Sequence, residues 1–589
     1  MPNSGSDLTE ALSLPKDDGD LRSYLVEFID QPQIAERPID KEARTVYVGS
    51  EVSNTSFLVR QRFGSKATPG VSHYAANRVA RRYTCHEPDR LPIEAFQLPT
   101  KSVVDALLDA YFTHVNPIFP VVDQNLFMEQ YRARDSSNPP SLLLLHAMLV
   151  AGAHVLYRKP ERDVTKSQFF CRAKTLFDAR FERNRDTVVQ AALLLTWHAD
   201  GVEDVLANAW FWVGVAARTA MGLGMHRDAD QSTLVPHNKR MWRRIWWLLF
   251  QCDVMVSLQY GRPPAIRLDE SDVKHLQPSD FDDCGPNVQI ENFIHQTDLC
   301  IILSHGIGRR LSLSSPNPSA NLEHLQRMDK ELANWSLQHP PSEVRPSYAQ
   351  AHVASSMSQV IYNAALILIH RRRPDEREMQ DAYVNRRDDE SICWTAAFAI
   401  QQIFQELCEY DRIQSVWVFG VNCLFTAMVQ LSVQVKAPNP VVAISALKQY
   451  ESTLSSMRRL SEYWPHSESI LHFFEKFVSS PHNGIGHEDP KNDEEPHPSM
   501  KASGRNLEDY ELSSGGEFES RQYSRNYQSI SRYHRGLHHS SEDFGDLRTA
   551  TIETVDNVLQ AWQDWQDWQD WQNLPELSDE LLLTFQELD

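Results

Sequence analysis

Eight cysteines are the first candidates for chemistry: Cys85, Cys171, Cys252, Cys284, Cys300, Cys393, Cys408 and Cys423. None forms a CxxC pair, and a zinc ribbon or disulfide framework needs thiols clustered at short spacing. Reduced, mostly buried thiols in an intracellular protein are therefore expected. The segment GLGMHR at Gly222 begins like a phosphate-cradling glycine loop. Arg227, however, holds the third glycine position, and the run closes a helix rather than opening one, so Gly222 and Gly224 are expected to form a helix cap. There is no GxSxG, GxxxxGK[ST] or HExxH in the chain. His534, His538 and His539 have a metal-like spacing but sit among Ser, Gly and Arg in a linker. His146 and His154 fall in an apolar run and are expected to be satisfied core histidines. With no nucleophile, base and orienting group in a recognisable pattern, the chain is not expected to be an enzyme.

Two aromatic constellations remain. In NKRMWRRIWWLLF, Arg240, Arg243 and Arg244 stand beside Trp242, Trp246 and Trp247. Arginine with aromatics is a nucleic-acid composition. It is equally the entrance to an amphipathic core helix whose arginines snorkel or pair with acids, and the apolar continuation favours this second reading. Trp210, Phe211, Trp212, Trp246, Trp247 and Phe250 are expected to form the core, with any effector pocket between their two helices, because aromatic-lined clefts between helices suit small apolar ligands. The run IHRRRPDER around Arg371 is a weaker basic patch, an import signal or a solvated helix end.

The second constellation closes the chain. WQDWQDWQDW and LPELSDELLLTFQELD supply Trp562, Trp565, Trp568, Trp571, Leu581, Leu582, Leu583 and Phe585, and no Lys or Arg follows Arg548. Repulsion between carboxylates keeps such anchors in water, free to bind grooves on partners. On a helix a three-residue step drifts by about 60° per Trp, so the tryptophans fan out instead of forming one stripe. Leu577, Leu581, Leu582 and Phe585 fall on one side, as in helix-in-groove recognition. Docking back onto the folded domain is the alternative.

Helices must position these residues. From about Leu98 apolar residues recur at three- and four-residue intervals, helix after helix, with Pro- and Ser-containing breaks and no sustained strand alternation. We expect an all-α domain over 98–480. It is preceded by a polar segment at 1–44 and by an extended arm and connector at 45–97, which carries Arg78, Arg81 and Arg82. A linker at 481–550 and the acidic-aromatic segment 551–589 follow. At 589 residues, 41% hydrophobic and 23% charged, the composition is that of a soluble globular chain with disordered stretches. The net charge of -21 argues against a uniformly basic nucleic-acid coat. Much of it comes from residues 479–589, with 23 acids against 8 bases, so a local basic site in the body stays open. The N-terminus has no secretory signature. The run Ser141–Leu156 is short for a membrane span and contains two histidines, so no membrane partner is expected.

Three segments in order, AYFTHVNPIFPVVDQNLFMEQY, ANAWFWVGVAARTAMGLGMHRD and KRMWRRIWWLLFQCDVMVSLQYGRPPAI, resemble the regulatory domain of fungal binuclear-zinc-cluster transcription factors. This domain is also called the fungal-specific transcription factor domain or middle homology region. VYVGSEVSNTSFLVRQRF and YGRP are most similar to the cutinase, fatty-acid and acetamidase regulator branch. The resemblance, over roughly Val46–Phe477, implies an all-α regulatory domain, a nuclear location, control of RNA polymerase II genes and no catalysis. It implies partners among coactivators and the transcription machinery, a zinc-cluster partner or homodimer, and promoter DNA contacted directly or indirectly. Zinc is the family's cofactor, held by six cysteines in two CxxC-containing halves. Only Cys85 precedes Cys171, so no cofactor is expected in this sequence, which reads either as a gene lacking its first exon or as a regulator without its own DNA reader.

Overall fold

A computed structural model describes residues 45–47, 73–75 and 91–479, except for 134, 136–137, 183, 199–205, 207, 311–317, 341–348 and 372–385. The fold is all-α, as the periodicity predicts. Its helices run Lys101–Ala110 (α1), Gln124–Ala133 (α2), Leu142–Leu156 (α3), Glu161–Asp178 (α4), Arg185–Leu195 (α5), Ala209–Leu223 (α6) and Pro236–Tyr260 (α7). Then come Ile290–Arg310 (α8), Pro318–Gln338 (α9), Ala349–His370 (α10), Arg386–Glu409 (α11), Phe419–Gln434 (α12), Pro440–Ser461 (α13) and Ser467–Ser479 (α14). Among the described residues there is one short strand pair: Thr45–Tyr47 (β1) lies antiparallel to His73–Ala75 (β2), with Val46 opposite Tyr74.

Local sequence explains the helix ends. The Ser141 side chain accepts from the Leu144 amide at the start of α3, and Asn208 accepts from Phe211 at the start of α6. Pro236 opens α7, where its missing N–H costs nothing. Gly224 and Gly261 close α6 and α7 in the left-handed conformation, at φ 79° and 61°. Gly222 takes no part in the cap; it lies in the last turn of α6.

Helix α7 is the hub. It packs on α5 and α6 on one side and on α8 and α12 on the other, joining the group around α3 to the group around α10 and α11. Every residue from Arg244 to Ser257 is buried, which accounts for the apolar run without a membrane. In α3, likewise, all residues from Leu142 to Val155 are buried. Gly152 is required there: a Cβ would stand 2.3 Å from the Leu107 carbonyl oxygen of α1. Among the described residues, Val353–His370 is long and apolar enough to cross a membrane, but 78% of it is buried in the protein, as suits a core helix.

The buried histidines make the fold acid-sensitive. His146 contacts the Ala95 carbonyl at 3.1 Å, and His198 stacks on Phe170 with ring centroids 4.0 Å apart. Burial lowers both to about 3, and His466 to about 4. The unfolded chain takes up these protons near pH 6.5, the fold only near 3 to 4, so stability falls as pH drops through that window. We expect a loss of about 1.4 kcal/mol per pH unit for each imidazole below pH 6.5. Urea denaturation at pH 7, 6, 5 and 4 checks it: a midpoint constant down to pH 5 would contradict neutral, buried imidazoles.

Candidate functional site

The first half of α7 carries the arginines, and acids from two loops meet them. Arg244 is 1% exposed. It donates to the Pro120 carbonyl at 3.0 Å, to the Asp280 carbonyl at 2.9 Å and to the buried Asp123 carboxylate. Arg243 bridges Asp230 at 2.6 Å and Asp280 at 2.8 Å. Arg240 pairs with Asp283 at 2.5 Å. His237 spans Asp123 at 3.0 Å and Asp283 at 3.1 Å. Burial alone would raise the Asp123 pKa, but the Arg244 guanidinium and His237 outweigh it and bring the carboxyl down to about 2. The hydrogen bond to Asp123 in turn raises the His237 pKa. The helix entrance is therefore an ion-paired joint inside the fold. Its three arginines are engaged by carboxylates, which leaves the DNA-contacting reading of this segment without exposed cations to carry it.

A second joint ties the arm to the same region. Arg227 holds Asp272 through two bonds, at 3.0 and 2.8 Å, and donates to the Tyr47 hydroxyl at 3.2 Å. The Tyr47 ring stands edge-on to His226, centroids 5.2 Å apart. At the far end of α7 the Arg262 guanidinium lies over Trp210 at 4.7 Å and Tyr260 at 5.0 Å. Asp253 accepts from the Ala265 and Ile266 amides at 3.1 and 2.8 Å, folding PPAI back on the helix. Burial raises its pKa to about 6, against the pull of those two amides.

The aromatic residues singled out in the sequence lie in this core. Trp212, Trp246, Trp247 and Phe250 are buried, and Trp210 and Phe211 half-buried. Their neighbours differ. Trp212 stands edge-on to Phe170 and Phe177 of α4, Trp246 lies beside His226, and the Trp247 indole donates to the Lys274 carbonyl at 2.9 Å. An apolar cleft lies elsewhere, between α7, α8, α10 and α12. Leu248 and Met255 contribute from α7, about 200° round the helix from Trp246. Phe119, Trp417 and Phe419 form much of its wall, with Gln289, Asn292 and Gln296 at its polar side.

His146 and His154 sit in the core as expected, but neither is fully satisfied: His146 Nδ1 and His154 Nε2 are buried without a hydrogen-bond partner. His154 packs on Trp464 at 4.5 Å and accepts at Nδ1 from Lys166 at 2.9 Å. Cys252, Cys284, Cys300, Cys393 and Cys423 are buried and unpaired. The residues expected to anchor the tail on partners, Trp562, Trp565, Trp568, Trp571, Leu581, Leu582 and Phe585, lie outside the described residues, as do Cys85, His534, His538, His539 and the arginines of the connector. His370 bridges Asp329 and Asp389 at the end of α10, just before the arginine run leaves the described residues. Sequence reading missed the partners: Asp123 ends the PVVD turn, and Asp280 and Asp283 lie in SDFDDC, more than 30 residues beyond the arginines. It also missed α2. The carboxamides at 289, 292 and 296 did carry a signal, a 3-then-4 spacing at the start of α8.

Compared with known proteins, residues 108–359 match the fungal-specific transcription factor domain. The chain is 46% identical over 461 residues to the acetamidase regulatory protein of Aspergillus oryzae, across 78% of this chain and 59% of that protein. It is 47% identical over 460 residues to the protein of that name in Aspergillus fumigatus, across 77% and 58%. Cutinase transcription factor 1 alpha of Fusarium vanettenii is 33% identical over 497 residues, across 80% and 54%. The chain thus spans less than two thirds of the length of these relatives.

Proposed function

We propose that this chain, whose residues 108–359 match the fungal-specific transcription factor domain, regulates RNA polymerase II transcription of metabolic genes, acting in the nucleus through its helical domain and acidic-aromatic tail. The observation that carries this reading is the 46% identity over 461 residues to a protein named as a regulator. That stretch includes the segments joined at α7. The chain is a regulator and not an enzyme in this reading, and the domain is a scaffold whose ion-paired joints hold its parts in register. Segment 551–589 binds coactivators through Trp562, Trp565, Trp568, Trp571, Leu581, Leu582 and Phe585. Promoter DNA is read through a zinc-cluster module that residues 1–589 do not supply, on a partner chain or elsewhere.

Two outcomes follow. The 589-residue polypeptide is expected to carry no stoichiometric zinc and to bind promoter DNA only weakly at about 150 mM salt, where loose phosphate contacts are screened. Metal analysis and a DNA titration check this; two zinc ions per chain or nanomolar sequence-specific binding would overturn it. Fused to an unrelated DNA-binding domain, residues 551–589 should activate a reporter, and activation should fall when the four tryptophans become alanine. A silent fusion would assign the tail to packing or autoinhibition.

A further inference from the structure

The cleft between α7, α8, α10 and α12 has the make-up of a ligand seat. It is a partly open cleft with a volume of about 50 Å³. Aromatic and thioether side chains, among them Phe119, Trp417, Phe419, Met255 and Met357, make its apolar wall. Apart from the Trp417 indole N–H, which is taken up by the Thr196 hydroxyl at 3.0 Å, the polar side chains on its lining are carboxamides: Gln289, Asn292 and Gln296. Separations of three and four place these on one face of the α8 entrance, as a short ladder along the rim.

That composition selects the ligand. No charged side chain lines the cleft, so an ion entering it would leave water with no counter-charge. A carboxamide offers both a donor and an acceptor, and it pairs best with a head that does the same. Gln296 is also the middle of a polar relay. Its Nε2 donates to Gln251 Oε1 of α7 at 2.8 Å, and its Oε1 accepts from Ser358 of α10 at 3.4 Å. Gln251 in turn donates to Thr297 at 2.6 Å and to the Phe293 carbonyl at 3.2 Å. A head group that exchanged hydrogen bonds with Gln296 would act on the joint between α7, α8 and α10. The methionines on the wall are suited to closing on a small apolar body, since their side chains repack at low cost.

We propose that this cleft binds a small uncharged molecule with a short apolar body and a head that both donates and accepts hydrogen bonds, such as a primary carboxamide. Binding of this kind stands whether or not the chain regulates transcription. The test uses the full 589-residue protein labelled at its methionine methyls and titrated with butyramide, butyrate and butylammonium, three probes of one chain length. Butyramide is expected to shift the Met255 and Met357 methyl resonances saturably while leaving Met128 of α2 unmoved. Either ion should bind at least tenfold more weakly. Gln296→Leu should weaken butyramide at least fivefold, and so should Asn292→Leu, whose half-exposed position keeps the fold intact. Equal or tighter binding of either ion, Met255 and Met357 signals unmoved by all three probes, or full affinity in Asn292→Leu would overturn the proposal.

Discussion

Trp246→Ala is expected to lower the stability of the domain by about 3–5 kcal/mol, the range for deleting a large buried aromatic. Trp246 is 0% exposed at the middle of the helix that touches both halves of the fold, so the void could not be filled by a side chain from solvent. The size of the effect also separates the two readings of this helix, because a DNA-facing tryptophan could be removed with little change in melting temperature. Trp246→Phe refines the test. The indole N–H is buried without an acceptor, so phenylalanine removes an unsatisfied donor along with part of the ring. Its cost should be well under half that of alanine. Equal losses in the two variants would mean that the N–H has a partner the geometry does not reveal.

Arg244→Ala should be of the same order, about 3–5 kcal/mol, for an electrostatic reason. Removing the guanidinium strands the Asp123 carboxylate, 5% exposed, together with the Pro120 and Asp280 carbonyls. His237, at 3.0 Å, offsets part of the charge, and does so better when protonated. The variant should therefore lose more stability at pH 8 than at pH 6. A buried pair exchanged for apolar residues of similar size is often neutral, whereas one broken on one side is not. Arg244→Met combined with Asp123→Leu is accordingly expected to recover part of the loss, though not the two carbonyl bonds. Urea midpoints of the single and double variants give the coupling. Additive losses would mean that Arg244 and Asp123 do not sense each other across this joint.

Much of this was legible from spacing. The three- and four-residue recurrence announced one helix after another from about Leu98, and the apolar continuation of α7 marked it as a core helix. Gly224 announced a helix end because glycine suits the left-handed position there, whereas Gly222, read with it, lies inside the last turn. What could not be read was pairing at a distance. Asp123 lies 121 residues from Arg244, and Asp283 lies 43 from Arg240, and no local rule says which acid will meet which base. Helix α2 escaped notice because NPIFPVVD reads as a terminator and the short run after it is polar. The cleft was out of reach for the same reason as the ion pairs. Its walls come from segments as far apart as Phe119 and Phe419, which only packing brings together. In the sequence the aromatics pointed to the side of α7 bearing Trp246, which is buried beside His226.

The central claim, that this chain acts on transcription, is tested most directly with all 589 residues tethered to an unrelated DNA-binding domain upstream of a reporter in a fungal cell. The account predicts a several-fold rise in reporter transcript, lost when residues 551–589 are removed while protein level stays the same. A reporter indifferent to the tethered chain, with the fusion protein intact and bound to its site, would contradict it.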